Sequence, residues 1–383
     1  TPLERAVGVI TDRPLVAGNA ITLLHNGDEA YPAMIAAIDQ ARTSICLASY
    51  IFEDDAAGDS FITALVAAKA RDVEVRVLID GIGSGYLRAP VFARLSAQGV
   101  RVARFLHSLL PWRMTFLNLR NHRKILVVDG RLAFLGGINI SDGNLLANHH
   151  ADPIRDVHFR VQGPVVAQIT EAFVADWYFT TNEELSGDCW YPAPDRASTA
   201  PTRTALARII TSGPDQDIEK LGLIFLQAIG CARHSIKVAT PYFLPEEALI
   251  AALGLAAMRG VAVDIVIPAK SDHRLTDWAI QAHIAPLLLT GVRIWKAAGP
   301  FEHSKLFTVD DSWALVGSAN WDMRSMRLNF EITLEVYGAD FAIEVSRQIE
   351  RRKDGAFTLT EIEALPWALR LRNLAARLML PYL

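Results

Sequence analysis

The chain has 383 residues, of which 51 % are hydrophobic, and its 38 lysines and arginines against 42 aspartates and glutamates leave a net charge of −4. A chain of this size buries a large core and has room for roughly two or three domains. The small acidic excess argues against a general nucleic-acid-binding protein, because such proteins carry a strong basic excess. No apolar run is long enough to cross a bilayer, so we expect a soluble or peripherally attached protein.

The first predicted elements alternate between helix and strand. The pattern predicts a helix at 31–41, a β-branched strand at 44–51, a second helix at 59–70 and a strand at 73–79. Strands between amphipathic helical stretches are typical of an α/β sheet that helices cover on both faces. The three cysteines (Cys46, Cys189 and Cys231) are far apart and odd in number, which predicts buried apolar side chains rather than disulfides or a zinc site.

The second half of the chain repeats the first. "ARTSICLASYIF" (41–52) returns as "ARHSIKVATPYF" (232–243), and "GVRVARF" (99–105) returns as "GVRIWKA" (291–297). The spacing is too long for a solenoid and indicates a duplicated domain. We therefore predict one half over residues 1–190 and another over residues 205–383, joined by a loop at 186–204 that is rich in proline, serine and threonine.

Each half ends in the same motif, "HRKILVVD" from His122 and "HSKLFTVD" from His303. Residues two apart on a strand share a face, so the histidine of each copy is expected to lie beside its lysine, Lys124 or Lys305. Asp129 and Asp310 follow at positions typical of a strand-end turn, where a carboxylate commonly accepts backbone hydrogen bonds.

A second strand then ends in Gly136-Gly137-Ile138-Asn139 or Gly317-Ser318-Ala319-Asn320, at the same distance from the histidine in both copies. Small residues permit a ligand to approach closely, and asparagine supplies donors to an anionic oxygen. Facing each other, two such halves would cradle one phosphodiester. The residues expected to hold its phosphate are Lys124, Asn139, Lys305, Ser318 and Asn320.

Two histidines suit attack and departure on opposite sides of phosphorus. One imidazole attacks phosphorus while the other protonates the leaving alcohol. An attacking imidazole needs an acceptor on its other nitrogen, and Asp156 and Glu331 lie near the starts of alternating strands. We expect these two to orient the histidines, with Asp156 serving His122. A single His-x-Lys sequence is usually an exposed pair of side chains without a catalytic role. Turn formation explains the glycines and aspartates of the motif, but it does not explain two histidines at matched positions.

The twin pattern H-x-K-x4-D followed by G-G/S-x-N resembles the signature of the phospholipase D superfamily over nearly the whole chain, most closely its bacterial cardiolipin synthase branch. "TPYFLP" (240–245) and "NFEITLEV" (329–336) extend the similarity. It implies two pseudo-symmetric α/β/α halves, each a mixed sheet flanked by helices, with the active site at their interface. It also implies a phospho-histidine intermediate, no metal and no cofactor. The catalytic set that it implies is His122, Lys124, Asp129, His303, Lys305 and Asp310, with His122 as nucleophile and His303 as acid.

Longer cardiolipin synthases begin with two membrane-spanning helices, so the chain resembles the shorter type or a truncated form. Two segments mix apolar, aromatic and arginine side chains, a composition suited to a lipid interface. One contains Trp112, Arg113 and Phe116, and packing at a domain interface is its alternative explanation. The other contains Trp367, Arg370 and Arg377 on a predicted amphipathic helix, and docking on the core is the alternative.

These features predict a phosphatidyltransferase that forms cardiolipin from phosphatidylglycerol and a second phospholipid. We expect it to lie peripherally on the cytoplasmic face of a bacterial membrane and to bind no nucleic acid; the oligomeric state stays open. The alternatives are a phospholipase D-type hydrolase, a transferase for another alcohol, a superfamily nuclease, and a membrane-binding protein with a degenerate site.

Overall fold

The computed structural model describes residues 1–85, 88–107, 118–193 and 205–378. Helices and strands alternate through the first part of the chain. Up to residue 181 the elements are α1 (Pro2–Thr11), β1 (Val16–His25), α2 (Asn26–Gln40), β2 (Ser44–Ser49), α3 (Ala56–Ala70), β3 (Glu74–Asp80), α4 (Pro90–Ala97), β4 (Arg101–Phe105), β5 (Arg120–Asn121), β6 (Ile125–Val128), β7 (Leu132–Gly136), β8 (Ile154–Arg155), β9 (Val157–Gln162) and α5 (Val165–Thr181).

The same alternation continues from residue 205. The elements there are β10 (Ala205–Ser212), α6 (Lys220–Cys231), β11 (Ser235–Ala239), β12 (Phe243–Leu244), α7 (Glu247–Met258), β13 (Ala262–Pro268), α8 (Arg274–His283), α9 (Ala285–Leu289), β14 (Arg293–Ala297), β15 (Phe301–Glu302), β16 (Leu306–Val309), β17 (Trp313–Gly317), β18 (Trp321–Asp322), α10 (Met323–Arg327), β19 (Asn329–Tyr337), α11 (Ala339–Glu350), β20 (Lys353–Ala356), α12 (Leu359–Glu363) and α13 (Trp367–Leu378).

The chain forms two compact units, each named here after its motif histidine. The His122 unit contains Leu15–Ile209 and Asn329–Thr333, and the His303 unit contains Thr1–Pro14, Ile210–Leu328 and Leu334–Leu383. Two short segments therefore cluster away from their neighbours in sequence. Helix α1 belongs with the second motif, and the start of β19 belongs with the first.

The His122 unit is built on a mixed sheet with the strand order β4-β3-β2-β6-β7-β9-β1, followed by the first part of β10. Strands β2, β3 and β4 are parallel, as helical crossovers require, and β6, β7, β9 and β1 are antiparallel. Helices α2 and α3 share a buried core with one face of this sheet, and α5 packs against β4, β6 and β9.

The His303 unit repeats that arrangement with the order β20-β14-β13-β11-β16-β17-β19. Strands β11, β13 and β14 are parallel, and the β11–β16 and β16–β17 pairs are antiparallel. Helices α6 and α7 contribute to its main core. The matching strand orders confirm the α/β fold with a mixed sheet that the sequence repeat predicts.

The strands that carry the motifs lie at the centre of each sheet. All six residues of β2 are buried, as are all four residues of β6, because strands inside a helix-covered sheet face protein on both sides. Asp55 caps α3 by accepting a hydrogen bond from the amide of Gly58 at 2.8 Å, so this helix begins three residues before the predicted start.

Within the four described ranges, no helix combines the length and the apolar composition needed to span a bilayer.

Candidate active site

The motif aspartates hold turns. Asp129 follows β6 with φ 53°, and its carboxylate accepts hydrogen bonds from the amides of Arg42, Thr43 and Ser44 at 2.8–3.1 Å. Asp310 follows β16 with the same φ and accepts from the amides of Arg233, His234 and Ser235, at 2.7–2.9 Å. Both carboxylates lie at the end of the strand opposite to the histidine. These contacts favour the turn-holding role over the catalytic one for both aspartates.

The two-residue period predicts that the histidine and lysine of each motif lie on a strand. In the structure they do not. They occupy the short segments between β5 and β6 and between β15 and β16. His122 is nevertheless 7 % exposed and Lys124 only 2 %, so the first pair is held inside the protein. Backbone pairing contributes to this position, because the His122 amide donates to the carbonyl of Phe330 at 3.0 Å.

The carboxylate that orients His122 comes from Glu331. Nδ1 of His122 lies 3.0 and 3.1 Å from the two carboxylate oxygens, and Glu331 has no exposed surface. Asn329 donates to Glu331 Oε1 at 3.2 Å and steadies it. The expectation that Asp156 serves His122 is therefore wrong. Since a carboxylate accepts from the ring, the proton lies on Nδ1 and the lone pair on Nε2.

A buried ion pair fixes the backbone on both sides of His122. Arg123 donates to Asp176 Oδ1 at 2.8 Å and to the carbonyl of Glu331 at 3.0 Å, and Asn121 donates to Asp176 Oδ2 at 2.9 Å. The amide of Asn121 also donates to Asp80 at 2.8 Å. Burial raises the pKa of Asp80 above its usual range, although three backbone donors oppose the shift. Charges buried in pairs are costly to break, so this segment has little freedom to move.

Lys124 is held against the backbone of its own histidine. Its Nζ donates to the carbonyl of His122 at 2.8 Å and lies 5.1 Å from the centre of the Tyr50 ring. The same tyrosine meets the His122 ring edge to face, with the ring centres 5.0 Å apart. An ammonium on an aromatic face is attracted by the electrons of the ring, and this position suits contact with an anion.

Asn139 presents its amide nitrogen and not its oxygen. Its side-chain oxygen accepts from the amide of Ile51 at 3.2 Å, and its backbone carbonyl accepts from the Tyr31 hydroxyl at 2.6 Å. Burial raises the pKa of Tyr31 far above its usual value, so this hydroxyl stays a donor. Among the residues that the structure describes, Nδ2 of Asn139 meets no acceptor. Two N–H donors are thus available to an anionic oxygen.

The paired glycines of the first copy make room for two polar side chains. A methyl group on Gly137 would come within 2.4 Å of both carboxylate oxygens of Asp156, and one on Gly136 within 2.8 Å of the His158 ring. Asp156 has no exposed surface and His158 is 1 % exposed. Neither ring nitrogen of His158 has a hydrogen-bond partner in the described part of the chain. Burial lowers the pKa of His158 to about 4 and keeps its ring neutral at pH 7.

His303 has a different neighbour on Nδ1. The Nζ of Lys305 lies 2.9 Å from this nitrogen and also donates to the His303 carbonyl. Phe301 and Tyr242 flank the ring, with centres 5.6 and 6.4 Å away.

Asn320 completes the second copy. It is 4 % exposed, and its side-chain oxygen has no hydrogen-bond partner among the described residues. Its backbone amide donates to Ser325 Oγ at 3.1 Å, which holds the loop after β17, and Ser318 has no exposed surface. An amide oxygen only accepts hydrogen bonds, so Nδ2 is the Asn320 side-chain atom that can donate to an anionic oxygen.

The residues predicted to contact lipid have three different outcomes. Trp112, Arg113 and Phe116 lie outside the described residues. Trp367 is 78 % exposed at the start of α13, and Arg370 is exposed beside it. Arg377 instead pairs with Glu247 at 2.7 Å.

The sequence did not predict the supporting role of several residues around the site. Asn121 and Arg123 flank the first histidine and could have been suspected from that position alone. Asp80 follows the predicted strand at 73–79, and the Asp80-Gly81 pair is typical of an ordinary turn. No local signal in the sequence marks Tyr31, Asp176 or His158.

Comparison with known proteins gives a consistent picture. The family model described as "Cardiolipin synthase, PLD-like domain" matches residues 34–177 and 225–353. "Cardiolipin synthase A" of Pseudomonas entomophila (strain L48) is 38 % identical over 357 residues, covering 93 % of this chain and 73 % of the relative. "Cardiolipin synthase A" of Pseudomonas putida (strain F1) is 37 % identical with the same coverage.

Solved structures support the fold. The crystal structure of phosphatidylserine synthase from Haemophilus influenzae Rd KW20 matches with a TM-score of 0.74 at 15 % identity, over 100 % of both chains. Polyphosphate kinase from Porphyromonas gingivalis matches with a TM-score of 0.56 at 15 % identity, over 88 % of this chain and 51 % of that one.

Replacing Glu331 with glutamine tests the first imidazole. Glutamine keeps an acceptor for Nδ1–H but loses the charge that stabilises a cationic ring, so we expect turnover to fall by about 100-fold or more. Glu335→Gln is the matched control, because Glu335 is also fully buried on β19 and accepts from Trp313 at 2.9 Å. Steady-state rates of both variants check this. Equal losses in the two would refute a special role for Glu331.

The buried ring of His158 predicts a pH-dependent stability. Its pKa is lowered from 6.5 to about 4 in the folded protein, so the unfolded chain binds a proton first as the pH falls. The stability is complete above pH 6.5 and declines below it, by about 2 kcal/mol between pH 7 and pH 5. In His158→Gln this loss should shrink by that amount. Urea unfolding at both pH values measures it, and an unchanged pH dependence would contradict the assignment.

Proposed function

We propose that this chain, which belongs to the cardiolipin synthase family of phospholipase D-like proteins, transfers a phosphatidyl group from one phospholipid to the hydroxyl of phosphatidylglycerol and so forms cardiolipin. With phosphatidylglycerol as donor as well, the second product is glycerol. One phosphodiester replaces another, so the exchange needs no nucleotide.

The observation that carries the mechanism is the contact between Glu331 and the first imidazole. Nδ1 of His122 lies 3.0 Å from the Glu331 carboxylate. The contact places a proton on Nδ1 and leaves Nε2 with a lone pair, which is the state that a nucleophile needs before reaction. We assign the acid role to His303, the histidine of the second motif.

In the first step, Nε2 of His122 attacks phosphorus and the bond from phosphorus to the leaving glycerol oxygen breaks. His303 starts as an imidazolium and gives the proton on Nε2 to that oxygen, which departs as an alcohol and leaves the ring neutral. The phosphorylated ring of His122 retains the proton on Nδ1 and becomes cationic, and the Glu331 carboxylate stabilises that charge. Lys124, Lys305 and the amides of Asn139 and Asn320 neutralise charge that builds on the non-bridging oxygens.

The second step reverses these roles. His303, now neutral, accepts the proton of the phosphatidylglycerol hydroxyl while the oxygen attacks phosphorus. The bond between phosphorus and Nε2 of His122 breaks, and both rings return to their initial states. Water in place of the lipid alcohol would give hydrolysis, so exclusion of water from the phospho-enzyme determines the product.

Both substrates of this reaction reside in a bilayer. We therefore place the enzyme at the surface of the bacterial cytoplasmic membrane, on the cytoplasmic side. Family membership supports phospholipid substrates, and the choice of phosphatidylglycerol rests on the chemistry of the product.

Incubation with phosphatidylglycerol and analysis of the lipids by mass spectrometry test the proposed reaction. We expect cardiolipin and glycerol from the intact protein, and a loss of at least about 1000-fold in His122→Ala. Glu335→Gln serves again as the active control. Phosphatidic acid as the only lipid product would identify a hydrolase, and undiminished turnover in His122→Ala would refute the mechanism.

A donor with a nitrophenol leaving group separates the two histidines. Nitrophenolate departs without a proton, so His303→Ala should release it in one rapid turnover and then stall, because no base activates the second alcohol. His122→Ala should release none above background. The nitrophenolate burst is read by absorbance. A burst in His122→Ala and none in His303→Ala would exchange the assigned roles.

A further inference from the structure

Helix α13 carries its apolar side chains on the surface. Trp367, Leu371, Leu374 and Leu378 are 78, 59, 51 and 81 % exposed. At 100° per residue these positions fall within an arc of about 60°. Four large apolar side chains therefore form one continuous stripe, called here the α13 stripe.

The opposite side of the same helix packs on the His303 unit through polar side chains and through Ala376, which is 4 % exposed and belongs to the hydrophobic core. Asn373 is 2 % exposed and donates to the side chain of Gln281 on α8 at 2.9 Å. The guanidinium of Arg372 lies 4.2 Å from the centre of the Trp278 ring. Arg377 pairs with Glu247 at 2.7 Å. Surface helices usually bury their large apolar side chains, whereas the four of the α13 stripe are exposed.

Charge distinguishes the kinds of surface that the stripe could meet. Helix α13 has no acidic residue in its first turn, and the sequence of the whole helix contains none. Arg370 is exposed and lies at the edge of the stripe, about 60° from Trp367. Its guanidinium donates to the carbonyls of Leu365 and Glu363, which holds the charge beside the start of the helix. An apolar stripe with a tryptophan at its end and a cation beside it matches the boundary between anionic headgroups and acyl chains.

We infer that the α13 stripe docks the protein on an anionic phospholipid surface. The four apolar side chains enter the headgroup boundary, while Asn373 and its neighbours on the buried face hold the helix to the His303 unit. This inference rests on the proposed function in one respect, because the proposed lipid substrates lie in such a surface. Arg377, expected from the sequence to contact lipid, instead anchors the helix to α7.

The experiment compares vesicle binding of the full chain with that of Leu371→Ser/Leu374→Ser. The vesicles contain phosphatidylcholine with or without phosphatidylglycerol, and co-sedimentation reports the bound fraction. We expect the double variant to bind mixed vesicles at least about tenfold more weakly, because two leucines no longer enter the apolar layer. Arg370→Gln should lose affinity for mixed vesicles but not for pure phosphatidylcholine.

The control is Ile218→Ser/Leu223→Ser, which removes two apolar side chains of comparable exposure, 48 and 50 %, near the start of α6. This variant should bind vesicles like the unmodified chain. Each variant should keep the same rate on a short-chain soluble phosphodiester. That rate separates the two proposals. If no variant turned over the soluble phosphodiester, the proposed function would be refuted, but the vesicle-binding result would still test the docking surface.

Two outcomes would overturn the inference. One is undiminished vesicle binding by Leu371→Ser/Leu374→Ser, with the unfolding temperature unchanged. The other is a dimer of the unmodified chain, seen by sedimentation without lipid, that the same substitutions dissociate. The stripe would then belong to an interface between two copies.

Discussion

The carboxylate of Glu331 meets Nδ1 of His122 across 209 positions of sequence, and the chemistry of the first imidazole depends on that contact. Glu331 contacts His122 because residues Asn329–Thr333 cluster with the His122 unit, although the residues before and after them belong to the His303 unit. Pairing of β19 with β5 aligns Phe330 with Asn121, directly before the histidine. Arg123, Asp176 and Asn121 then fix the segment from the other side. The ring is held by groups from distant parts of the chain, and Nε2 is the nitrogen that we propose attacks phosphorus.

A duplicated domain supplies two matching sets of side chains. Strand order, turn aspartates and the lysine and asparagine positions repeat between the two units. In the first copy, the Glu331 carboxylate lies beside Nδ1 of His122. A negative neighbour favours a ring that becomes cationic, which is the state that the proposed transfer gives to His122.

The sequence predicts the parts that local patterns determine. Strand ends and turn aspartates follow from residue type and spacing, and the repeat predicts two matching sheets. Gly136 and Gly137 were expected to admit a ligand, whereas in the structure they lie against the side chains of His158 and Asp156. The partner of His122 was misassigned because two carboxylates stand at equivalent positions, and only the tertiary fold distinguishes them. His158 could not be found because a histidine in an apolar strand has no local signature. For α13, periodicity reveals the stripe but not which side of the helix faces the protein.

Locating the phosphatidyl group on the trapped enzyme tests the central claim most directly. The protein is mixed with phosphatidylglycerol, quenched within a turnover at alkaline pH, where the bond between phosphorus and histidine survives, and digested for mass spectrometry. The account predicts a phosphatidyl group on the peptide that contains His122, at Nε2, and a strong decrease of that species in Glu331→Gln. A phosphatidyl group on the peptide that contains His303, with the His122 peptide unmodified, would contradict it.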